Sequence, residues 1–320
     1  MTLEMGYEFR RFNQVSPDKN IYNVSNGVSN LIFTKNELLR AAYTVGRSCM
    51  DHVYSYPFYS EKEVSLRIAI MEAYIDLNSS PITISPAFDL LDPSEKGGFR
   101  FLIASAFSKL YAEKFLNVEF LMHLDVYRRN AYDDNGVEIK LKDGDRRPDF
   151  IGKSPRGWVA VESKGRVNKV ANAITAGHEQ LENLKTINGE APIYKVVSMM
   201  HQKGRQIKMF LSDPEEAEDN SFNLQIKEAN FIRDYYAVVM LELNEANVDT
   251  VKENAIEFYI IRNTCNQYEI GLAKVIYEKL KHFLDSDIAN EINSLLKGVV
   301  AETTDIDYIG NDGIYFKSLH

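Results

Sequence analysis

The sequence is poor in the residues that cross-link or anchor a protein. Its two cysteines, Cys49 and Cys265, lie far apart among 320 residues and show no CxxC or other metal-ligand spacing. This argues against a disulfide framework or a zinc finger, and it predicts reduced thiols in a cytoplasmic protein. No apolar run approaches the roughly 18 residues that a membrane-spanning helix requires, so we expect no membrane partner.

Other signatures are absent as well. The sequence has no Walker-type loop, no Rossmann glycine pattern and no internal repeat, so nothing predicts an ATPase motor or a dinucleotide enzyme. Met1 is followed by acidic and polar residues, where a secretory leader would have a basic start and an apolar core. Basic residues are outnumbered, with a formal charge of −9 and a pI near 5.3. Such acidity argues against indiscriminate binding of nucleic acid.

What is present is enough apolar surface for a substantial core, since hydrophobic residues make up 45% of the chain and aromatic residues 11%. We expect an α/β protein with helical additions at both ends. Residues 1–95 are predicted to form a helical, aromatic-rich extension, residues 96–210 the core, and residues 211–320 a C-terminal α/β extension that packs on the core. The aromatic residues of 52–59 could stack on bases or bind a partner, although packing against the central sheet is the expected role.

One segment indicates a particular chemistry. Asp149 follows Pro148, and Glu162 and Lys164 stand at the end of a short apolar run that is typical of a buried strand. Their i, i+2 spacing places the Glu162 and Lys164 side chains on one face of that strand. Two carboxylates with a backbone carbonyl near Ser163 suit Mg²⁺, which keeps several waters besides one or two carboxylates. A bound metal ion activates water and polarises a phosphate, and Lys164 would orient that water or offset the charge on the phosphate.

Periodicity predicts the elements around this segment. An intervening helix lets two neighbouring strands run parallel, so the order strand, strand, helix, strand indicates a mixed α/β core. The predicted elements are a helix near 98–116, strands near 118–128, 147–152 and 157–164, a helix near 168–187 and a strand near 192–200. In the flanks we predict helices near 35–47, 61–77, 268–284 and 287–297, strands at 235–243 and 257–261, and a final strand after Asp312.

The four residues Pro148, Asp149, Glu162 and Lys164 resemble the motif of the PD-(D/E)xK nuclease superfamily, and the resemblance covers about residues 97–200. It implies a restriction-endonuclease-like core, in which a helix, a three-stranded antiparallel meander, a crossover helix and a further strand form a mixed central sheet flanked by helices. It also implies that Asp149 and Glu162 are metal ligands for Mg²⁺ or Mn²⁺ and that Lys164 is the catalytic lysine.

Two residues are further candidates by this resemblance. Many members carry an additional acid on the first core helix, where this chain offers Glu113, and a solvent-facing glutamate is the alternative. Some relatives use a glutamine near the metal site, where this chain has Gln180, and a solvated helix residue is the alternative. His178 and His201 share no metal-ligand spacing, so we expect them to be structural or surface residues.

The segment around the motif is basic, although the chain as a whole is acidic. Residues 138–169 hold nine basic and five acidic side chains, a balance of +4 within a chain whose total is −9. A basic rim around an acidic metal pocket is compatible with DNA cleavage. The candidates for nucleic-acid contacts are Arg146, Arg147, Arg166, Lys169 and Gln180.

These features predict a Mg²⁺- or Mn²⁺-dependent nuclease that hydrolyses phosphodiester bonds in DNA, and the resemblance implies a role in restriction or defence against phage. We expect DNA as the substrate and a protein partner or a homo-oligomer, because no motor or target-recognition module accompanies the site. One alternative is a catalytically inactive subunit that keeps the nuclease fold for DNA binding or as a scaffold in a larger complex. The other is a coincidental pattern in an interaction protein.

Overall fold

The computed structural model describes residues 2–12, 24–46, 48–213, 221–244, 248–263, 267–282 and 288–319, so Cys265 lies outside it. The strands are β1 (Thr2–Arg10), β2 (Gly27–Thr34), β3 (Ile75–Asp76), β4 (Thr83–Ile84), β5 (Phe120–His123), β6 (Ala131–Tyr132), β7 (Phe150–Ser154), β8 (Gly157–Arg166), β9 (Leu184–Ile187), β10 (Tyr194–Lys203), β11 (Gln206–Ser212), β12 (Phe222–Leu224), β13 (Asp249–Glu253), β14 (Ile256–Asn263), β15 (Tyr268–Ala273) and β16 (Ile314–Ser318). The helices are α1 (Lys35–Thr44), α2 (Met50–Ser55), α3 (Pro57–Tyr74), α4 (Pro86–Asp89), α5 (Pro93–Leu116), α6 (Val170–Glu182), α7 (Glu228–Leu243), α8 (Lys274–Lys281) and α9 (Ile288–Thr303), and a 3₁₀ helix spans Leu124–Asn130.

A large mixed sheet flanked by helices forms the centre of the molecule, as the α/β prediction required. Its main path runs β2-β1-β11-β10-β8-β7-β5, and β3 and β4 join it at β11. Strands β5, β7 and β8 form an antiparallel meander, and β10 lies parallel to β8. The chain reaches β10 through α6, because a parallel neighbour requires a crossover. The predicted core elements are therefore present in the predicted order.

Helices α5 and α6 contact opposite faces of strand β8. The hydroxyl of Ser108 on α5 donates to Ser163 Oγ at 3.1 Å, so Ser163 faces α5. Gly177 on α6 lies against Glu162 and Val197. A Cβ at position 177 would come within 2.7 Å of Val197, so the glycine permits the close approach of α6. The alternation of a strand thus turns Glu162 toward α6.

Helix α5 begins where its sequence provides a cap. Asp92 accepts from the backbone N–H of Ser94, Glu95 accepts from the backbone N–H of Asp92, and Pro93 occupies the first turn. These are the residue types that satisfy the free N–H groups at a helix start. The helix ends at Asn117 in the left-handed conformation, a residue type that tolerates it.

No helix among the described residues is long and apolar enough to cross a membrane.

The first 95 residues are not purely helical, which corrects the prediction of a helical extension. Strand β1 pairs in parallel with β11, and β2 pairs with β1, so both belong to the large sheet. Leu3 and Met5 alternate with less buried residues along β1, which is the period of a strand with one buried face. Helices α1 and α3 confirm the helices predicted near 35–47 and 61–77.

Three further predictions are corrected, two in the C-terminal part and one in the core. Residues 235–243 were predicted as a strand but belong to α7, which is buried on nearly all sides, and a short apolar run does not distinguish the two states. The helix predicted near 268–284 is strand β15 followed by α8. The helix predicted near 168–187 ends at Glu182, before β9. Strands β14 and β16 and helix α9 are confirmed.

Candidate active site

Asp149 and Glu162 are brought together by the pairing of β7 with β8. Phe150 pairs with Val161, so Asp149, just before β7, stands opposite Glu162. The backbone N–H of Asp149 donates to Glu162 Oε2 at 2.9 Å, and the backbone N–H of Ser163 donates to Asp149 Oδ2 at 3.0 Å. Each carboxylate thus accepts a hydrogen bond from the backbone of the segment that carries the other.

Lys164 completes this cluster on the same face of β8. Its ammonium group donates to Glu162 Oε1 and also to Gln180 Oε1, the latter at 2.6 Å. Gln180 in turn donates from Nε2 to the backbone oxygen of Arg147 at 3.1 Å. Gln180 is therefore a partly buried residue that positions Lys164, and the prediction of a solvated helix residue is wrong.

With both carboxyl groups ionised, the cluster would carry one more negative than positive charge in a poorly hydrated place. Glu162 is fully buried. Burial raises the pKa of Glu162 to about 8, and the negative charge of Asp149 raises it further while Lys164 opposes the shift. Burial also raises the pKa of Asp149. One lysine does not neutralise two ionised carboxylates, so the arrangement favours a second cation when both are deprotonated.

A cavity of about 300 Å³ opens at Asp149. Phe101 of α5, His123 at the end of β5 and Asp125 in the 3₁₀ helix also line it, and none of the three was among the predicted site residues. The pairing of β5 with β7 could have revealed His123, since it places that residue opposite Phe150 and hence beside Asp149. Asp125 and Asp145 add two acidic groups to Asp149 in the lining of this cavity.

The donor set fits a hard divalent cation. Asp149 and Glu162 would hold the ion with the backbone carbonyl of Ser163, and water would complete the octahedron that Mg²⁺ prefers. In the described ranges no group of three or more His, Cys, Asp or Glu side chains is arranged to hold a metal ion. A set of two carboxylates suits a metal ion that also binds substrate phosphate, in contrast to a closed structural site.

Glu113 does not belong to this site. The structure pairs its carboxylate with Arg40 at 3.2 Å and with Lys109 at 2.9 Å, and only 7% of its side chain is exposed. It lies three helical turns beyond Phe101, the α5 residue at the cavity, so about 18 Å of helix separates the two positions. Both readings of the sequence, metal ligand and solvent-facing glutamate, are therefore corrected.

The residues predicted to contact nucleic acid differ in whether their side chains already bind other groups of the protein. Arg147 is engaged by the protein, since its Nε donates to Asp125 at 2.5 Å and its Nη1 donates to the backbone oxygens of residues 142 and 145. Arg146 pairs with Glu179 at the surface. Arg166, the last residue of β8, and Lys169, just before α6, are exposed. A phosphate contact remains a prediction for Arg146, Arg166 and Lys169, whereas Arg147 holds the loop before Pro148.

His178 and His201 lie outside the cluster. His201 Nε2 is 3.0 Å from the backbone oxygen of Val167. Buried His178 has Nδ1 3.4 Å from Nη1 of Arg11 and Nε2 3.1 Å from Oγ of Ser212. The guanidinium group can only donate, so Nδ1 accepts and Nε2 carries the proton. His178 is therefore a structural, neutral histidine, as the spacing predicted.

This histidine should make stability fall in mild acid. Burial, aided by Arg11, lowers the pKa of His178 to about 4, against an ordinary value near 6.5. Between these two pH values the unfolded chain binds more protons than the folded chain. The contribution of His178 to stability is therefore full above pH 6.5 and is lost as the pH falls toward 4. We expect the free energy of unfolding, measured with urea, to decrease less from pH 7.5 to pH 5 in His178→Gln than in the parent. Exposed His282→Gln should match the parent, and a parent-like loss in His178→Gln would contradict the assignment.

No protein-family description, no curated protein and no solved structure matches this chain.

Proposed function

We propose that this protein is a Mg²⁺- or Mn²⁺-dependent nuclease that hydrolyses phosphodiester bonds in DNA. The observation that carries the proposal is the convergence of Asp149, Glu162 and Lys164, from two neighbouring strands and with mutual hydrogen bonds, next to the cavity that Asp149 lines. The order of α5, the β5–β7–β8 meander, α6 and β10 is the order that the resemblance to PD-(D/E)xK nucleases implies, and it supports a restriction-endonuclease-like core.

Each residue of the cluster has its own role in the proposed reaction. Asp149 and Glu162 would hold the metal ion beside the substrate phosphate, and Gln180 keeps Lys164 directed at the same point. The bound ion would supply activation of water and stabilisation of charge on the phosphate. Lys164 is placed to orient the attacking water or to offset that charge. The burial of Glu162 excludes bulk water around the carboxylates, which strengthens their electrostatic effect.

The test is cleavage of plasmid and linear DNA in Mg²⁺, Mn²⁺ or EDTA. We expect cutting with either metal ion and none in EDTA. Lys164→Met should lower the cleavage rate about a hundredfold or more, because it removes the positive charge that contacts Glu162 at the proposed reacting centre. Lys185→Met is the matched control, since Lys185 is an exposed lysine paired with Asp134.

Parent-like cleavage by Lys164→Met would show that another site cuts the DNA. Absence of cleavage by the parent in both metal ions would favour the inactive nuclease-fold subunit. A role in restriction or defence against phage, and any protein partner, stay predictions.

A further inference from the structure

A second cavity, of about 650 Å³, adjoins the candidate active site. His123 and Asp125 line both cavities, so the two form one continuous groove. We call the second cavity the arginine groove. Its lining also includes Ser48, His52, Arg128 and Arg129.

The walls of the arginine groove are joined by one buried carboxylate. Asp234 accepts from the backbone N–H of Met50, at the start of α2, at 2.7 Å. It also accepts from the hydroxyl of Tyr127, in the 3₁₀ helix, at 2.9 Å. The helix that carries His52 and the helix that carries the two arginines are thus held at a fixed separation. The groove is therefore formed before any ligand binds.

The far end of the groove is basic, although the chain as a whole is acidic. Arg129 is exposed and forms no ion pair or hydrogen bond with the residues that the structure describes. Arg128 pairs with Asp143 at 2.6 Å, but the Asp143 side chain is 90% exposed. Exposed pairs of this kind contribute only about 0–1 kcal/mol, so a phosphate can replace the carboxylate. Two guanidinium groups are thus available beside the metal-binding carboxylates.

Aromatic rings continue from the groove onto the surface. The His52 ring, which lines the groove, lies 5.1 Å from the Tyr56 ring. Tyr56 is 51% exposed, and Phe58 and Tyr59 beyond it are exposed further, so the predicted packing of these aromatics on the central sheet is wrong. Exposed rings beside a basic groove are what stacking on unpaired bases requires. A duplex offers no such faces, because its bases already stack on one another.

We propose that the arginine groove binds a single-stranded nucleic-acid segment next to the bond that is cleaved. Arg128 and Arg129 contact its phosphates, and His52 and Tyr56 stack on its bases. The volume agrees, because about 300–1,000 Å³ is the size of small-ligand pockets and suits unpaired nucleotides rather than a duplex. This inference rests on the proposed function, and it adds that the substrate carries a single-stranded region.

Binding in EDTA separates the groove from catalysis. Fluorescence anisotropy of the full chain with a labelled, unstructured DNA 12-mer and with the same sequence as a duplex should show tighter binding of the single strand. Tyr56→Ala should weaken that binding about 5- to 150-fold, the range for the loss of one stacked base. Arg129→Ala should reduce the slope of log affinity against log salt by about 0.7, one phosphate contact on a single strand.

Two control variants test whether the losses are specific. Tyr56→Phe keeps the ring and should bind like the parent, and so should Lys252→Ala, which removes an exposed cation from β13. Parent-like binding by Tyr56→Ala and Arg129→Ala, or duplex binding as tight as single-strand binding, would overturn the proposal. A change of oligomeric state in Tyr56→Ala without loss of DNA affinity would also overturn it, in favour of a protein interface. Failure of the proposed function shows separately, as absent cleavage in Mg²⁺ with intact binding in EDTA.

Discussion

Replacement of Glu162 by glutamine should lower metal-dependent DNA cleavage at least about a thousandfold, equivalent to about 4 kcal/mol of transition-state stabilisation. The substitution keeps the shape of the side chain but removes one of the two charges that would hold the metal ion. It also removes the ion pair with Lys164. The measurement is the rate of cleavage of plasmid DNA in Mg²⁺ and in Mn²⁺.

A second readout distinguishes loss of the site from loss of the fold. Because burial raises the pKa of Glu162, a neutral isostere costs the folded state less than the ionised glutamate at pH 8. The metal-free melting temperature of the variant should therefore equal or exceed that of the parent, while stabilisation by Mn²⁺ should disappear. Glu138→Gln, at an exposed position, should keep both the cleavage and the stabilisation. Full cleavage by Glu162→Gln would remove Glu162 from the site.

The core of the fold and the cluster were predictable because local signals agreed there. The run Trp158–Val161 is apolar and fully enclosed, and the spacing of Glu162 and Lys164 fixes their common face in any strand. The prediction that Asp149 lies beside Glu162 needed only an antiparallel neighbour, which the meander supplies. Each of these inferences depends on residues close together in the chain.

What could not be predicted depends on contacts between distant segments. Strand β1 joins the sheet through β11, about 200 residues later, and its own sequence does not reveal that neighbour. Asp125 reaches the cavity because the chain turns into a 3₁₀ helix after β5, where a longer strand was expected. Glu113 is an acidic residue, as a metal ligand would be, but it binds Arg40 of α1, which lies 73 residues earlier in the chain.

The ion pair of Arg40 with Glu113 is part of a buried ion cluster outside the candidate active site. Arg40 lies between Glu113, at 3.2 Å, and Asp312, at 3.4 Å, and is almost wholly buried. Burial lowers the pKa of Arg40, but the two carboxylates more than offset this effect and raise it. The hydroxyl of Tyr235 also donates to Asp312 at 2.5 Å. The cluster joins α1, α5, α7 and the turn before β16, so its integrity concerns the whole fold.

Arg40→Met should therefore destabilise the protein by about 3–5 kcal/mol, the usual cost of leaving a buried charge without its partner. Glu113 keeps Lys109, whereas Asp312 is left without any cation that the structure places in direct contact with it. Lys114→Met is the control, because Lys114 pairs with Glu37 at the surface and should contribute less than about 1 kcal/mol. Urea unfolding at pH 7.5 measures both variants. A loss below about 1 kcal/mol in Arg40→Met would mean that Asp312 becomes protonated or hydrated at little cost, and the cluster would then not stabilise the fold.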